Sequence, residues 1–130
     1  MIQQQTILKA ADNSGAKTVK CIKILGGYKK KYANLGDIII ISVQKLRNKA
    51  KLTSKVKKGE IYKALVIRTK RKNKKRDSSY TFLSGKAQTN SVILINKKGL
   101  PIATRVSEPF PNLLKKKRFT KFISISMGLI

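Results

Sequence analysis

Gly36-Asp37-Ile38-Ile39-Ile40-Ile41-Ser42-Val43 carries the clearest secondary-structure signal in the chain. Consecutive β-branched side chains are stiff at χ1 and favour extended backbone. The run is too short for an isolated helix and dense enough for a buried strand. Gly36 and Asp37 mark its start with turn chemistry. Working outward, residues 19–25 set Val19, Cys21, Ile22 and Ile24 against Lys20 and Lys23, a strand with imperfect alternation. Residues 6–11 form another, ended by Asp12-Asn13-Ser14-Gly15. Downstream, residues 61–69 and 91–96 read as two more, and turn signals fall at Gly15, Gly26-Gly27, Gly36, Gly59, Gly85 and Gly99. Many short strands with glycine-marked turns imply a mainly β protein, either a closed barrel or a sandwich.

The last third departs from this pattern. Pro109-Phe110-Pro111-Asn112 is a turn, and Asn112 is expected to cap a short helix through Leu113-Leu114-Lys115-Lys116-Lys117-Arg118. Phe119, Phe122, Ile123 and Ile125 are then expected to fold back on the strands. The 130 residues suit one domain, with strands to about residue 100 and a helical and loop part over 101–130.

Charge decides the class of partner. Lys and Arg number 31 against 5 acids, a formal net charge of +26. Such a body repels itself unless a polyanion neutralises it. Nucleic acid is the first such partner and an anionic membrane the second. Membrane insertion is not expected, because apolar runs such as Ile38-Ile39-Ile40-Ile41 fall far short of the ~20 residues a spanning helix needs. Met1-Ile2-Gln3-Gln4-Gln5 has neither a basic n-region nor an apolar h-region, so no secretory signal is expected, and no Arg- and Ser-rich import peptide.

The cations collect in four runs. The first is Lys29-Lys30-Lys31. Residues 45–58 carry Lys45, Arg47, Lys49, Lys51, Lys55, Lys57 and Lys58. Arg68 then leads into Lys70, Arg71, Lys72, Lys74, Lys75 and Arg76, a run suited to the tip of a projecting ribbon. The fourth is Lys115-Lys116-Lys117-Arg118. A solvated face mixes signs, and these runs do not, so phosphate contact is expected. Tyr28, Tyr32 and Tyr80 adjoin the basic runs, where they either stack on bases or pack at the barrel rim. Folded RNA, read by shape and phosphate, fits the sparse aromatics better than single-strand reading.

Catalysis is not expected. There is no histidine, and Asp12, Asp37, Glu60, Asp77 and Glu108 lie far apart in sequence. Asp12, Asp37 and Glu60 read as turn residues at strand edges, and carboxylates among so many cations are expected to stay ionised. The single cysteine, Cys21, cannot form an internal disulfide or a multi-thiolate site and reads as core. No cofactor or metal is expected. Gly26-Gly27 lacks nucleotide-motif spacing and reads as a turn presenting a basic tip to RNA.

Several blocks are specific. They are Ala11-Asp12-Asn13-Ser14-Gly15-Ala16, Cys21-Ile22-Lys23-Ile24-Leu25-Gly26-Gly27, Gly36-Asp37-Ile38-Ile39 and Val56-Lys57-Lys58-Gly59. Lys63-Ala64-Leu65-Val66-Ile67-Arg68-Thr69-Lys70, Pro101-Ile102-Ala103-Thr104-Arg105, Glu108-Pro109 and Arg118-Phe119-Thr120-Lys121-Phe122-Ile123-Ser124 follow in order. Together they resemble the universal large-subunit ribosomal protein fourteen family in its bacterial and organellar form. The resemblance implies a small five-stranded β-barrel, a projecting β-ribbon and short C-terminal helices. It implies binding to large-subunit ribosomal RNA, contact with small-subunit ribosomal RNA through an inter-subunit bridge, and neighbouring ribosomal proteins. It also implies a face on which a ribosome-silencing factor docks. Thr104, Arg105 and Lys121 match the family positions expected on that bridge and silencing-factor surface.

Departures from the family pattern are Ser78 where the ribbon turn carries glycine, Ala103 in place of the glycine before Thr-Arg, and longer stretches at 45–54 and 82–89. Lysine outnumbers arginine, and Ile and Asn are frequent, as AT-rich coding produces. With the altered loops, this favours an organelle-encoded protein of the mitochondrion over a plastid or a bacterial cytoplasm. The competing readings are a stand-alone RNA chaperone or regulator, and an RNA-modifying enzyme.

Overall fold

The computed structural model describes residues 2–47, 54–71, 73–74, 77–81 and 89–130, with the backbone alone at 73, 74, 81 and 117. Among these residues there are seven strands: β1 Ile7–Ala10, β2 Ala16–Ile24, β3 Ile38–Leu46, β4 Ile61–Arg68, β5 Asn73–Lys74, β6 Tyr80–Thr81 and β7 Ser91–Ile95. Five of them close into a barrel in the order β1-β2-β3-β4-β7. Four junctions are antiparallel, and the parallel pairing of β1 with β7 (Lys9 opposite Ser91, Ala10 opposite Val92) completes the ring. Of the two architectures left open by the strand pattern, the chain adopts the barrel, which leaves no strand edge unpaired around the ring.

In β3 the isoleucine run sorts by side. Ile39, Ile41 and Val43 point inward and are buried, while Ile38 and Ile40 lie partly exposed on the outer face. The irregular alternation of β2 has a backbone cause. Its pairing with β3 shifts register between Ala16 and Thr18, Thr18 and Val19, and Cys21 and Lys23. Each shift re-aims the strand. The buried set is Ala16, Val19, Cys21 and Ile24, and Ile22, expected inside, is exposed. Cys21 is a core residue, and burial pushes its thiol up from its ordinary value.

β4 and β7 do not alternate at all, because both of their faces are covered. Ala64, Val66, Val92 and Leu94 pack into the barrel interior with Val19, Ile39 and Ile41. Leu65, Ile67, Ile93 and Ile95 face outward into a second core with Phe110, Leu114, Phe119 and Phe122, against which Ile123 and Ile125 also pack. Continuous apolar runs are what strands buried on both faces require. The fold-back of the C-terminal aromatics is therefore as expected, and Phe119 meets Phe122 edge-on at 6.0 Å between ring centroids.

The helix lies later than Asn112 suggested. Asn112–Leu114 and Lys117–Phe119 are single 3-10 turns, and the α-helix, α1, is Thr120–Ser124. Asn112 is the first residue of its turn and caps nothing with its side chain; its N–H is drawn to the Ile130 carbonyl at 2.6 Å.

β5 and β6 form a separate two-stranded ribbon. Of the basic run expected at its tip, Asn73 and Lys74 lie in its first arm, and the turn falls at Asp77-Ser78-Ser79. Ser78 stands at φ +61°, a left-handed position that favours glycine. Asp77 holds the turn in compensation: its Oδ1 accepts from the Ser79 hydroxyl at 2.8 Å and the Ser79 N–H at 3.4 Å.

Candidate nucleic-acid interface

The acids set where positive charge is left to face outward. All five carboxylates are engaged by the chain itself. Asp37 accepts from the Asn34 N–H at 2.7 Å and pairs with the Lys30 ammonium at 2.8 Å. Glu60 accepts from the Lys57 N–H at 3.0 Å and the Tyr62 hydroxyl at 2.6 Å. The Tyr62 and Lys57 hydrogen bonds hold the Glu60 carboxyl below its ordinary range. Burial and the Glu60 contact push the Tyr62 phenol up to about 12. Asp77 is used in the ribbon turn described above.

Asp12 does more than make a turn. It is buried, accepts from the Ser14 hydroxyl at 2.6 Å, and accepts from the Leu94 N–H at 2.9 Å, fastening the β1–β2 connection to β7. Burial works against the expected influence of the cations here. Desolvation raises the Asp12 carboxyl above its ordinary value, outweighing its hydrogen bonds and the Arg47 charge.

Glu108 is the second buried acid. Its Oε1 takes the Arg68 guanidinium at 3.0 Å and the Lys9 ammonium at 3.4 Å. Arg68 also donates to the Thr89 carbonyl at 3.0 Å and the Ser91 hydroxyl at 2.9 Å. This fork ties the ends of β4 and β7 to the C-terminal part. Arg68 is thus committed inside the protein, unlike the exposed lysines around it.

The remaining cations point outward. Lys29, Lys31, Lys45, Lys55, Lys57, Lys58, Lys70, Arg71, Lys115, Lys116 and Arg118 are exposed. Some are steadied locally: Lys55 donates to the Ile102 carbonyl at 3.3 Å, and the Arg118 guanidinium lies 4.6 Å from the Phe119 ring centroid. Half-buried Arg47 donates to the Ala10 carbonyl at 3.2 Å. Lys49, Lys51, Lys72, Lys75 and Arg76 lie outside the described residues, as do most of the two long stretches at 45–54 and 82–89. Of Lys74 and Lys117 only the backbone is described.

Charge is not confined to loops. Lys9, Lys17, Lys23 and Lys63 stand exposed on outward positions of the barrel strands. The signal for them was the alternation itself, since each sits beside a buried position.

Thr104 and Arg105 are exposed and held by Asn13, a residue whose sequence context indicates only a turn. The Asn13 side-chain oxygen accepts from the Thr104 N–H at 3.1 Å and the Arg105 N–H at 3.2 Å, while its amide donates to the Thr104 hydroxyl at 2.9 Å. The Val106 N–H donates to the Ile125 carbonyl at 2.9 Å, tying this segment to the end of the helix that carries Lys121. Ala103, where the family pattern has glycine, is buried.

Among the described residues no group of three or more His, Cys, Asp or Glu could hold a metal, and no helix is long and apolar enough to cross a membrane. What the arrangement can do is present many outward cations on a closed barrel, with exposed apolar side chains such as Ile7, Ile61 and Met127 among them. The model of the family described as ribosomal protein L14p/L23e matches residues 1–130, the whole chain. The chain belongs to the ribosomal protein L14p/L23e family, structural proteins of the large ribosomal subunit.

Proposed function

We propose that this chain anchors large-subunit ribosomal RNA through its cationic exterior and contributes to an inter-subunit bridge. One observation carries the reading: every carboxylate is engaged internally while most of the described lysines stand outward, so phosphates meet little competing negative charge. The barrel supplies rigidity, and the loops and ribbon arm supply reach. Arg68 serves in this scheme as the internal brace that fixes where the 70–76 run leaves the barrel. Thr104 and Arg105, steadied by Asn13, form with Lys121 the surface offered to small-subunit RNA or a silencing factor. Neighbouring ribosomal proteins pack on the remaining face, and the lysine-rich, Ile- and Asn-rich composition supports a mitochondrial ribosome.

The test is RNA binding against salt. Removing one phosphate-binding cation should lower the slope of log K against log salt by about 0.7–0.9. Replacing the cations of residues 70–76 with alanine should therefore weaken binding and flatten that slope. An unchanged slope would remove the ribbon arm from the interface.

A further inference from the structure

The N-terminal rim of the barrel holds a cleft that phosphate anchoring alone does not explain. Two short segments build it. Ile2 and Ala33 pair as an isolated bridge, with N–H to carbonyl distances of 3.3 and 2.8 Å, and both are fully buried. Gln5 donates its N–H to the Cys21 carbonyl at 2.8 Å. Between these anchors Gln3 and Gln4 are held out into solvent, and the loop from Gly26 to Lys31 rises opposite them. The cleft between has a volume of about 500 Å³, and its lining includes Gln3, Gln4, Lys23, Ile24, Lys29 and Lys31.

Three features distinguish it from the rest of the cationic surface. Tyr28 lies between the cleft-lining Gly27 and Lys29 and is 91% exposed, with the Lys29 ammonium 5.3 Å from its ring centroid. The barrel-rim packing considered for Tyr28 is thus not what it does. The Gln3 and Gln4 side-chain amides make no hydrogen bond among the described residues, so donors and acceptors stand free on the wall facing the lysines. Backbone strain gathers around the cleft: Gln5 at φ +70° and Lys29 at φ +50° are two of the three non-glycine residues in the left-handed region among those described. Such conformations persist where surrounding structure enforces them, and they concentrate at binding sites.

A duplex would use the lysines but keep its base faces stacked on one another, leaving the ring without a partner. An acidic peptide would engage the lysines and the amides through its carboxylates and backbone, but its acidic side chains offer the ring no flat face. An unpaired nucleotide uses all three, since its phosphate suits lysine, its base face suits an aromatic ring, and its edge suits a carboxamide. Lys30 contributes least, because Asp37 already matches its charge at 2.8 Å.

We propose that this cleft takes a single unpaired ribonucleotide splayed out of the bound RNA, with its base stacked on Tyr28 and its edge met by Gln3 and Gln4. The inference rests on the RNA-anchoring reading and adds to it a place where the protein distinguishes unpaired from paired RNA.

Fluorescence anisotropy with the full-length chain tests it, using an unstructured RNA decamer and a blunt-ended RNA duplex as probes. Tyr28→Ala should weaken decamer binding by about 5- to 150-fold, the range for loss of one base–aromatic stack. Duplex binding should change by less than about twofold, and the salt slope should hold, because no cation is removed. The Gln3→Ala/Gln4→Ala double variant should likewise act on the decamer alone. Tyr28 is so exposed that its replacement leaves the fold intact, which circular dichroism checks. Equal effects on both probes, or none on either, overturn the proposal. So does a Glu-rich decapeptide whose binding falls with Tyr28→Ala as far as the decamer's, which would assign the cleft to acidic protein segments. Wild-type protein that binds neither RNA would defeat the anchoring reading itself, and this inference with it.

Discussion

Gly36→Ala should cost more than its single methyl group suggests. Gly36 sits at φ +84°, and an added Cβ would come within 2.5 Å of the Leu114 Cδ2 atom. Carbon atoms pack comfortably at about 3.5–4.0 Å, so roughly 1 Å must be found. Leu114 has little room to give it, being 7% exposed within the second core. The left-handed conformation costs a non-glycine residue about 1–3 kcal/mol, and overpacking a closed site about 1–3 kcal/mol more. The sum is about 2–6 kcal/mol, a large share of the roughly 5–15 kcal/mol that stabilises a typical domain. Leu114→Ala alone should also destabilise, by up to about 2–5 kcal/mol, through the cavity it leaves. In the double variant the clash is gone while the backbone cost remains. The two destabilisations should therefore fall short of additive by about 1–3 kcal/mol. Urea unfolding in high-salt buffer, followed by circular dichroism, measures all four corners of this cycle. Strict additivity, or a Gly36→Ala effect below about 0.5 kcal/mol, would refute the claim that Leu114 of the C-terminal segment packs closely against the turn before β3.

Arg68→Met should destabilise by about 3–5 kcal/mol, since Glu108 would be left buried with only the longer Lys9 contact, and adding Glu108→Leu should restore much of the stability; the same urea titration checks both. Asp12 gives a pH dependence of definite sign. Its folded carboxyl protonates more readily than the ordinary value of 3.8, so its contribution to stability is fully present in acid and is lost as pH rises through the raised value. The wild type's advantage over Asp12→Asn should accordingly be largest at low pH and shrink on the way to neutrality; an advantage that grows with pH would contradict the burial argument. Asn13→Ala should impair subunit joining, measured by light scattering of mixed subunits, while leaving the salt slope of RNA binding unchanged, because it releases Thr104 and Arg105 without removing a cation.

How much of this is legible in the sequence follows from physical range. Strand existence is local: the β-branched residues of β3 and the glycine punctuation around it suffice for five strands at nearly their observed bounds. The inward and outward faces are legible where one face is wet, as in β3, and illegible in β4 and β7, where the second cover arrives from Phe110, Phe119 and Phe122 far along the chain. β2 misleads for a different reason, since register shifts put Ile22 outside although its pattern reads as core. The helix position fails because Asn112 looks like a cap, while it is itself the first residue of a 3-10 turn that Pro111 precedes with no side-chain cap hydrogen bond. Ordered motif blocks reach further than periodicity and lead to the family. Partnerships across long sequence separations stay hidden: Asp12 with Leu94, Asn13 with Thr104, and Arg68 with Glu108 each require the closed barrel before they can be seen. The cleft at Gln3 and Gln4 is hidden likewise, because nothing local sets those glutamines opposite the lysine loop.

The most direct test of the central claim is sedimentation of a native extract on a sucrose gradient, with the chain followed by immunoblot. As a structural component anchored to ribosomal RNA, most of the protein should travel with large-subunit particles and be stripped from them only as salt is raised. Most of it remaining near the top of the gradient at physiological salt would contradict the account.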